Sequence, residues 1–258
     1  MIKPFISPPP LLEVQVMEAG AIYTRVYSST SERRLFSGRG QLLGLPQQPL
    51  DDPSLFENFR NHCDRFSEVP TSLVSVNNHI LDAIARAYGL WQDGEDPKNL
   101  WVVFIKTPVD MKAATTPCTY HAESLAIRSQ NDKPKLFHYE FVVEWAILER
   151  FVAHKVSLET LMDRGLDWER YLPLQPPGPW TVDLYPSSSG KYVSCEPRVS
   201  LDHLRHFESQ DHRNSNSWEI GHSISCIARH FGARAPMGWI AKQLFRDLFR
   251  PKKLGWNI

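Results

Sequence analysis

No run of this sequence approaches the roughly 20 consecutive apolar residues that a membrane-spanning helix requires. The opening Met1-Ile-Lys-Pro-Phe-Ile-Ser-Pro-Pro-Pro10 holds no apolar block of the secretory-signal kind, so an intracellular, cytoplasmic chain with reduced thiols is expected. Cysteine is scarce. Cys63, Cys118, Cys195 and Cys226 form no Cys-x-x-Cys pair, which argues against a zinc ribbon or a dense disulfide framework. Charge of one sign is not in excess either: Lys and Arg total 29, as do Asp and Glu. That balance gives no global pull toward nucleic acid or an anionic membrane. There is no Gly-x-x-x-x-Gly-Lys loop, no Gly-x-Ser-x-Gly elbow and no Rossmann glycine signature. His203-Leu-Arg-His206 has the helical spacing of a metal pair but no third ligand at motif distance, and His121-Ala-Glu123 fails likewise. No metal is expected.

The 258 residues, 42% hydrophobic and 22% charged, are enough for a full globular core. The composition divides them into a proline-rich leader over 1–20, an α+β domain over 21–170, a Pro/Ser-rich strap over 171–199 and a helical C-terminal region over 200–258. At the start of the α+β part, Glu18–Tyr27 reads as a strand entered through Gly20, with Ile22, Thr24 and Val26 on one face and Tyr23, Arg25 and Tyr27 on the other. A long polar loop over 28–53 leads to a helix from Leu55 to Phe66, whose apolar stripe is Leu55, Phe59, Cys63 and Phe66, with Asp52 or Ser54 as cap. Thr71–Val76 reads as a strand, Ile80–Tyr88 as a helix capped from Asn77 or Asn78, and Asn99–Lys106 as a central strand. A short helix fits His121–Ile127, a strand or edge fits Phe151–Val156, and Ser157 caps a helix stopped by Gly165. Beyond the strap, Ser200 caps Leu201–Phe207, Ser217–Phe231 is amphipathic and closed by Gly232, and Pro236 opens a helix striped with Trp239, Ile240, Leu244, Leu248 and Phe249. Arg229, Arg234, Lys242, Arg246, Arg250, Lys252 and Lys253 give this end a basic bias. Such charges are commonly the wet face of amphipathic helices, and a nucleic-acid partner is not expected.

The stretch from Phe137 to Ile147 is dense in aromatic and β-branched residues yet contains Glu140 and Glu144. A carboxylate in a buried strand costs several kcal/mol unless paired or solvated in a cleft. Period two puts Glu140, Val142 and Glu144 on one face, so one reading is that both acids line the wet side of an antiparallel sheet. The other is a functional carboxylate, with Glu140 the leading candidate.

Three phrases occur in order on separate predicted strands: Tyr23-Thr-Arg25, then Pro70-Thr-Ser-Leu-Val-Ser-Val-Asn77, then Glu140-Phe-Val-Val-Glu-Trp-Ala-Ile-Leu148. With them the chain resembles the ADP-ribosyltransferase fold, whose hallmark is arginine, then Ser-Thr-Ser, then glutamate on three strands. The likeness runs from Ala21 to Leu161 and is nearest to uncharacterised fungal proteins of that shape. Aligning Ile147 with the isoleucine of the Gly-Gly-Ile-Pro close in the cholera-toxin-like branch puts Glu140 on the catalytic position. The resemblance implies an α+β fold with a mixed or antiparallel sheet, NAD as substrate and a protein acceptor. It implies that Arg25 pairs with an NAD phosphate and that Ser75 braces Arg25 or Glu140. Glu140 then accepts from a ribose hydroxyl and stabilises the charge that develops as nicotinamide leaves. Tyr23, Tyr27 or Tyr88 stacks on a flat ring, and Asn77 belongs to the same cofactor-binding set. The chain departs from the family at Val76 and Asn77, where Thr-Ser is usual, at His138, where arginine-modifying members carry an acid or glutamine, and at Trp145-Ala-Ile-Leu148. The alternative is a non-enzymatic interaction module that binds a protein through its apolar cleft or basic end.

Overall fold

The computed structural model describes residues 20–30, 35–37, 48–64, 67, 69–107, 118–166, 184–186, 192–194 and 217–249, the side chains of 184–186, 192–194 and 247–249 excepted. The leader, the Ser200 helix, the His203/His206 pair and Cys195 lie outside them. The described elements are α+β. Six strands, β1 (Ile22–Ser28), β2 (Leu73–Asn77), β3 (Leu100–Lys106), β4 (Thr119–His121), β5 (Glu140–Glu144) and β6 (Val152–Ser157), form one antiparallel sheet in the order β4-β5-β2-β1-β3-β6. Helices α1 (Asp52–Cys63), α2 (Ile80–Gln92), α3 (Ala122–Arg128) and α4 (Leu158–Asp163) are interleaved with the strands. A separate two-stranded ribbon pairs β7 (Leu184–Pro186) with β8 (Tyr192–Ser194), inside the stretch expected as a strap. Two C-terminal helices follow, α5 (Ser217–His230) and α6 (Met237–Phe249). Among the described residues no helix is long and apolar enough to cross a membrane.

The strand alternation holds. Val26, Val102 and Val156 lie in register on one face and share a core with Ile80, Ile84 and Tyr88 of α2, Leu158 and Leu161 of α4, and Ile224, Phe231 and Ile240 of the C-terminal helices. Further along that face, Leu73, Tyr120 and Val142 pack under Leu55 and Phe59 of α1 and Leu125 of α3. The opposite face gathers Tyr23, Val74, Val76, Val103, Ile105 and Val143. One face is therefore covered by two groups of helices, and a seam between them runs over the β1–β2 junction.

Several local expectations change. The cap of α1 is Asp51, whose side chain accepts from Ser54 N at 3.0 Å, rather than Asp52 or Ser54; Pro53 then occupies the first turn, where a missing N–H costs nothing. The cap position of α2 falls on His79, with no side-chain cap bond, while Asn77 Oδ1 accepts from His79 N at 2.7 Å and shapes the turn from β2 into α2. Strand β5 is shorter than its composition suggests. Pro134–Phe137 is a 3₁₀ turn, and Trp145 at φ 63° ends the strand after Glu144. The reading that both acids line a wet face does not survive. Their face is roofed by helices, and Glu144 is 1% exposed. Ser157 does cap α4, accepting from Thr160 N at 3.2 Å, and Gly165 at φ 93° and Gly232 at φ 96° stand where helices α4 and α5 end.

Candidate functional site

Glu140 opens β5 opposite Asn77, and Ser75 pairs with Val142, so Ser75, Asn77 and Glu140 sit on one pleat with Ser75 diagonal to Glu140. Strands β1 and β2 pair at a single position, Thr24 with Asn77, whereas β1 and β3 stay in register from Ile22 to Ser28. Where the ladder stops, side chains of β1 take over its work. Thr24 Oγ1 donates to Asn77 O at 3.0 Å, and Arg25 Nη1 donates to Ser75 O at 2.7 Å. Arg25 is rooted on the pleat opposite Thr24, yet its guanidinium reaches β2 and acts on the Glu140 carboxylate.

The electrostatics at this junction are those of charges brought under helices. Burial first, and the neighbouring Arg86 second, pull Arg25 down to about 10, against the attraction of Glu140. Arg25 therefore stays a cation at neutral pH. Burial raises Glu140 above its ordinary value, while a hydrogen bond from the Ser75 side chain and the charges of Arg86 and Arg25 oppose that rise, and Asp82 adds to it. Ser75 and Glu140 thus share one pleat, and Arg25, rooted on the opposite pleat, reaches the same junction through the Ser75 carbonyl.

The Ser75 hydroxyl has a partner that the sequence reading missed. His62, near the end of α1, places Nε2 at 2.6 Å from Ser75 Oγ and Nδ1 at 3.2 Å from Thr71 Oγ1. Its signal was present in the chain: Leu55, Phe59 and His62 follow i, i+4, i+7 spacing, so a polar ring lies on the stripe that α1 turns to the sheet. Cys63 beside it is pushed up to about 12, by burial and then by the Glu140 charge, so its thiol is inert at neutral pH.

The remaining sequence candidates go elsewhere. Tyr23 is 4% exposed and packs edge-on against Phe141 at 5.0 Å in the opposite core. Asn77 spends its side chain on the turn, donating to Asp82 Oδ2 at 3.2 Å and accepting from His79 N. Tyr88 is fully buried, its hydroxyl donating to Leu166 O at 2.8 Å. Tyr139, next to Glu140, stacks on His79 at 4.3 Å. Glu144 accepts from Tyr120 Oη at 2.9 Å and from Leu50 N at 3.1 Å, which anchors the loop that enters α1. His138 pairs with Glu123 at 2.7 Å on the surface. Among the described residues no group of three His, Cys, Asp or Glu side chains is placed to hold a metal ion.

Comparison with known proteins found no matching curated protein and no matching solved structure. A family model described as a domain of unknown function, DUF7587, matches residues 25–161, which begins at Arg25 and takes in Ser75, Glu140 and His62. The match covers a little over half of the chain. The chain belongs to this family of unknown function.

Proposed function

We propose that the β1–β2–β5 junction is an NAD site for mono-ADP-ribosyl transfer. The observation that supports this reading is that Arg25, Ser75 and Glu140 lie at one junction of three strands, in the order that the resemblance implies, with Arg25 bonded to the Ser75 carbonyl. In that reading Glu140 accepts from a ribose hydroxyl and offsets the positive charge that grows on the ribose as the nicotinamide–ribose bond breaks. Nicotinamide leaves with the bond's electron pair, and an acceptor nucleophile on a protein closes the new bond and gives up its proton. Arg25 supplies the cation at the phosphate end. Its guanidinium has five donors, one of which holds β2 at Ser75 O.

Nicotinamide release by the wild type and by Glu140→Gln is the deciding measurement. A fall of about 10²–10³-fold in the variant, the scale for removing a group that stabilises transition-state charge, is the expected result. The carboxylate has to be ionised to act, and burial raises its pKa, so the acid limb of the rate profile lies above the ordinary glutamate range. Equal rates in the two proteins would sink the assignment.

A further inference from the structure

The junction also holds a nucleophile in contact with a base. Ser75 Oγ lies 2.6 Å from His62 Nε2, and His62 Nδ1 lies 3.2 Å from Thr71 Oγ1. Ser75 and His62 are half-buried, whereas Thr71 is buried. A serine hydroxyl is a weak nucleophile until a neighbouring base takes its proton, and hydrogen-bond reach between the two is the first requirement. Taking that proton turns the imidazole into a cation with two N–H groups, each of which needs an acceptor. Both acceptors are in place: the Ser75 oxygen faces Nε2, and the Thr71 hydroxyl oxygen faces Nδ1. A hydroxyl gives or accepts, so Thr71 serves either neutral tautomer of the ring and the imidazolium alike.

The ring is held from its own helix. Asn58, one turn before His62 on α1, accepts from Ser72 N at 2.9 Å and donates to Ser54 O at 2.7 Å, which ties the helix to the residue before β2. From the other side Arg25 Nη1 donates to the Ser75 carbonyl at 2.7 Å. A cation held at the nucleophile's own residue favours the oxyanion that forms when a hydroxyl adds to a carbonyl.

We propose that Ser75 and His62 are the nucleophile and general base of an acyl-transfer centre that takes carboxylic esters. Ser75 Oγ adds to the ester carbonyl as its proton passes to His62 Nε2. The bond from that carbon to the alcohol oxygen then breaks, the alcohol leaves with the electron pair, and His62 returns the proton to it. Water repeats the sequence on the acyl-serine: its oxygen adds, its proton passes to His62, and the Ser75 oxygen leaves and is reprotonated. The carboxylic acid departs. No step uses NAD, so this activity does not rest on the transferase reading.

The full chain without NAD is treated with an alkyl fluorophosphonate, from which Ser75 Oγ displaces fluoride as its proton passes to His62. Phosphonylation at Ser75, absent from Ser75→Ala and slowed by about 10²–10⁴-fold in His62→Gln, the scale of general-base assistance, is the expected result. Release of p-nitrophenol from p-nitrophenyl butyrate, above the Ser75→Ala background, should stop once Ser75 is phosphonylated. No label at Ser75, an equal labelling rate in folded His62→Gln, or ester cleavage that the label leaves untouched overturns the proposal. If His62→Gln does not fold, the pH profile of wild-type labelling decides. A rate that levels off once the ring has lost its proton upholds the base, and one that keeps climbing with hydroxide overturns it. Nicotinamide release, measured separately, keeps the two activities apart. Release without labelling overturns the acyl-transfer centre alone, and labelling without release sinks the transferase reading alone.

Discussion

Glu140 and Glu144 stand on one pleat of one five-residue strand and meet different fates. Glu140 sits at the seam between helix groups with cations nearby; Glu144 lies under α1 with Tyr120 Oη and Leu50 N as donors. Burial raises the pKa of Glu144 against those hydrogen bonds. A carboxyl with a raised folded pKa binds its proton more tightly in the native state. The favourable linkage is complete below the ordinary glutamate value and is lost as pH rises through the folded value. At pH 8 the wild type therefore holds a buried charge that Glu144→Gln lacks, while the glutamine oxygen still accepts from both donors. Urea midpoints should show Glu144→Gln ahead of the wild type at pH 8, with the gap closing on acidification. Glu144→Ala strands the two donors and costs about 1–3 kcal/mol at either pH. A gap that widened in acid would contradict this account. At this scale the sequence marked the acids as anomalous but not their surroundings. The left-handed backbone of Trp145 was illegible as well. It is fixed by bonds from Trp145 N to Ser72 O at 2.7 Å, from Ser37 N to Trp145 O at 2.7 Å and from Trp145 Nε1 to Gln48 O at 3.1 Å, all to distant segments.

Among the elements, faces were legible and neighbours were not. Alternation assigned Thr24 and Val26 to one side of β1 and Tyr23 and Arg25 to the other, because the pleat alone decides that. Nothing local to β1 says that β2 lies beside it on one side and β3 on the other, or that the pairing with β2 ends after one position. The order Arg25, Ser75, Glu140 along the chain does not carry that information either. His62 escaped notice for a related reason: its partner is chosen by how α1 crosses β2, not by its own helix. The weak β1–β2 ladder makes Thr24, which is fully buried, more than a core residue, since its hydroxyl donates to Asn77 O across the junction. Thr24→Val keeps the shape and loses the donor, at a cost of about 1–2 kcal/mol. Amide exchange should quicken at the facing ends of β1 and β2 while the β1–β3 and β2–β5 ladders keep their protection. Uniform loss of protection across the sheet would mean that Thr24 serves overall packing and not this junction.

For the whole molecule, the question is whether α5 and α6 are a separate unit. Composition drew a boundary before them, yet their apolar faces complete the core that β1, β3 and α2 begin. Phe104 of β3 takes Phe231 edge-on at 5.6 Å and Trp239 edge-on at 6.2 Å. Polar contacts cross the same boundary, from His154 Nε2 to Phe231 O at 2.8 Å and from Arg164 Nη1 to His230 O at 2.8 Å. A helix pair seated on the sheet core in this way should unfold with it. Phe231 has no exposed surface, and Phe231→Ala removes an aromatic ring from the shared core at a cost of about 3–5 kcal/mol. The loss should lower one common transition rather than release the helices first. The ¹H–¹⁵N resonance of the Trp101 indole, assigned through Trp101→Phe, reports the sheet, and far-UV circular dichroism weights the helices. Coincident midpoints by the two probes, moving together in Phe231→Ala, are the expected result. An early helical transition that leaves Trp101 unmoved would make the C-terminal helices a separate unit resting on a sheet that stands without them.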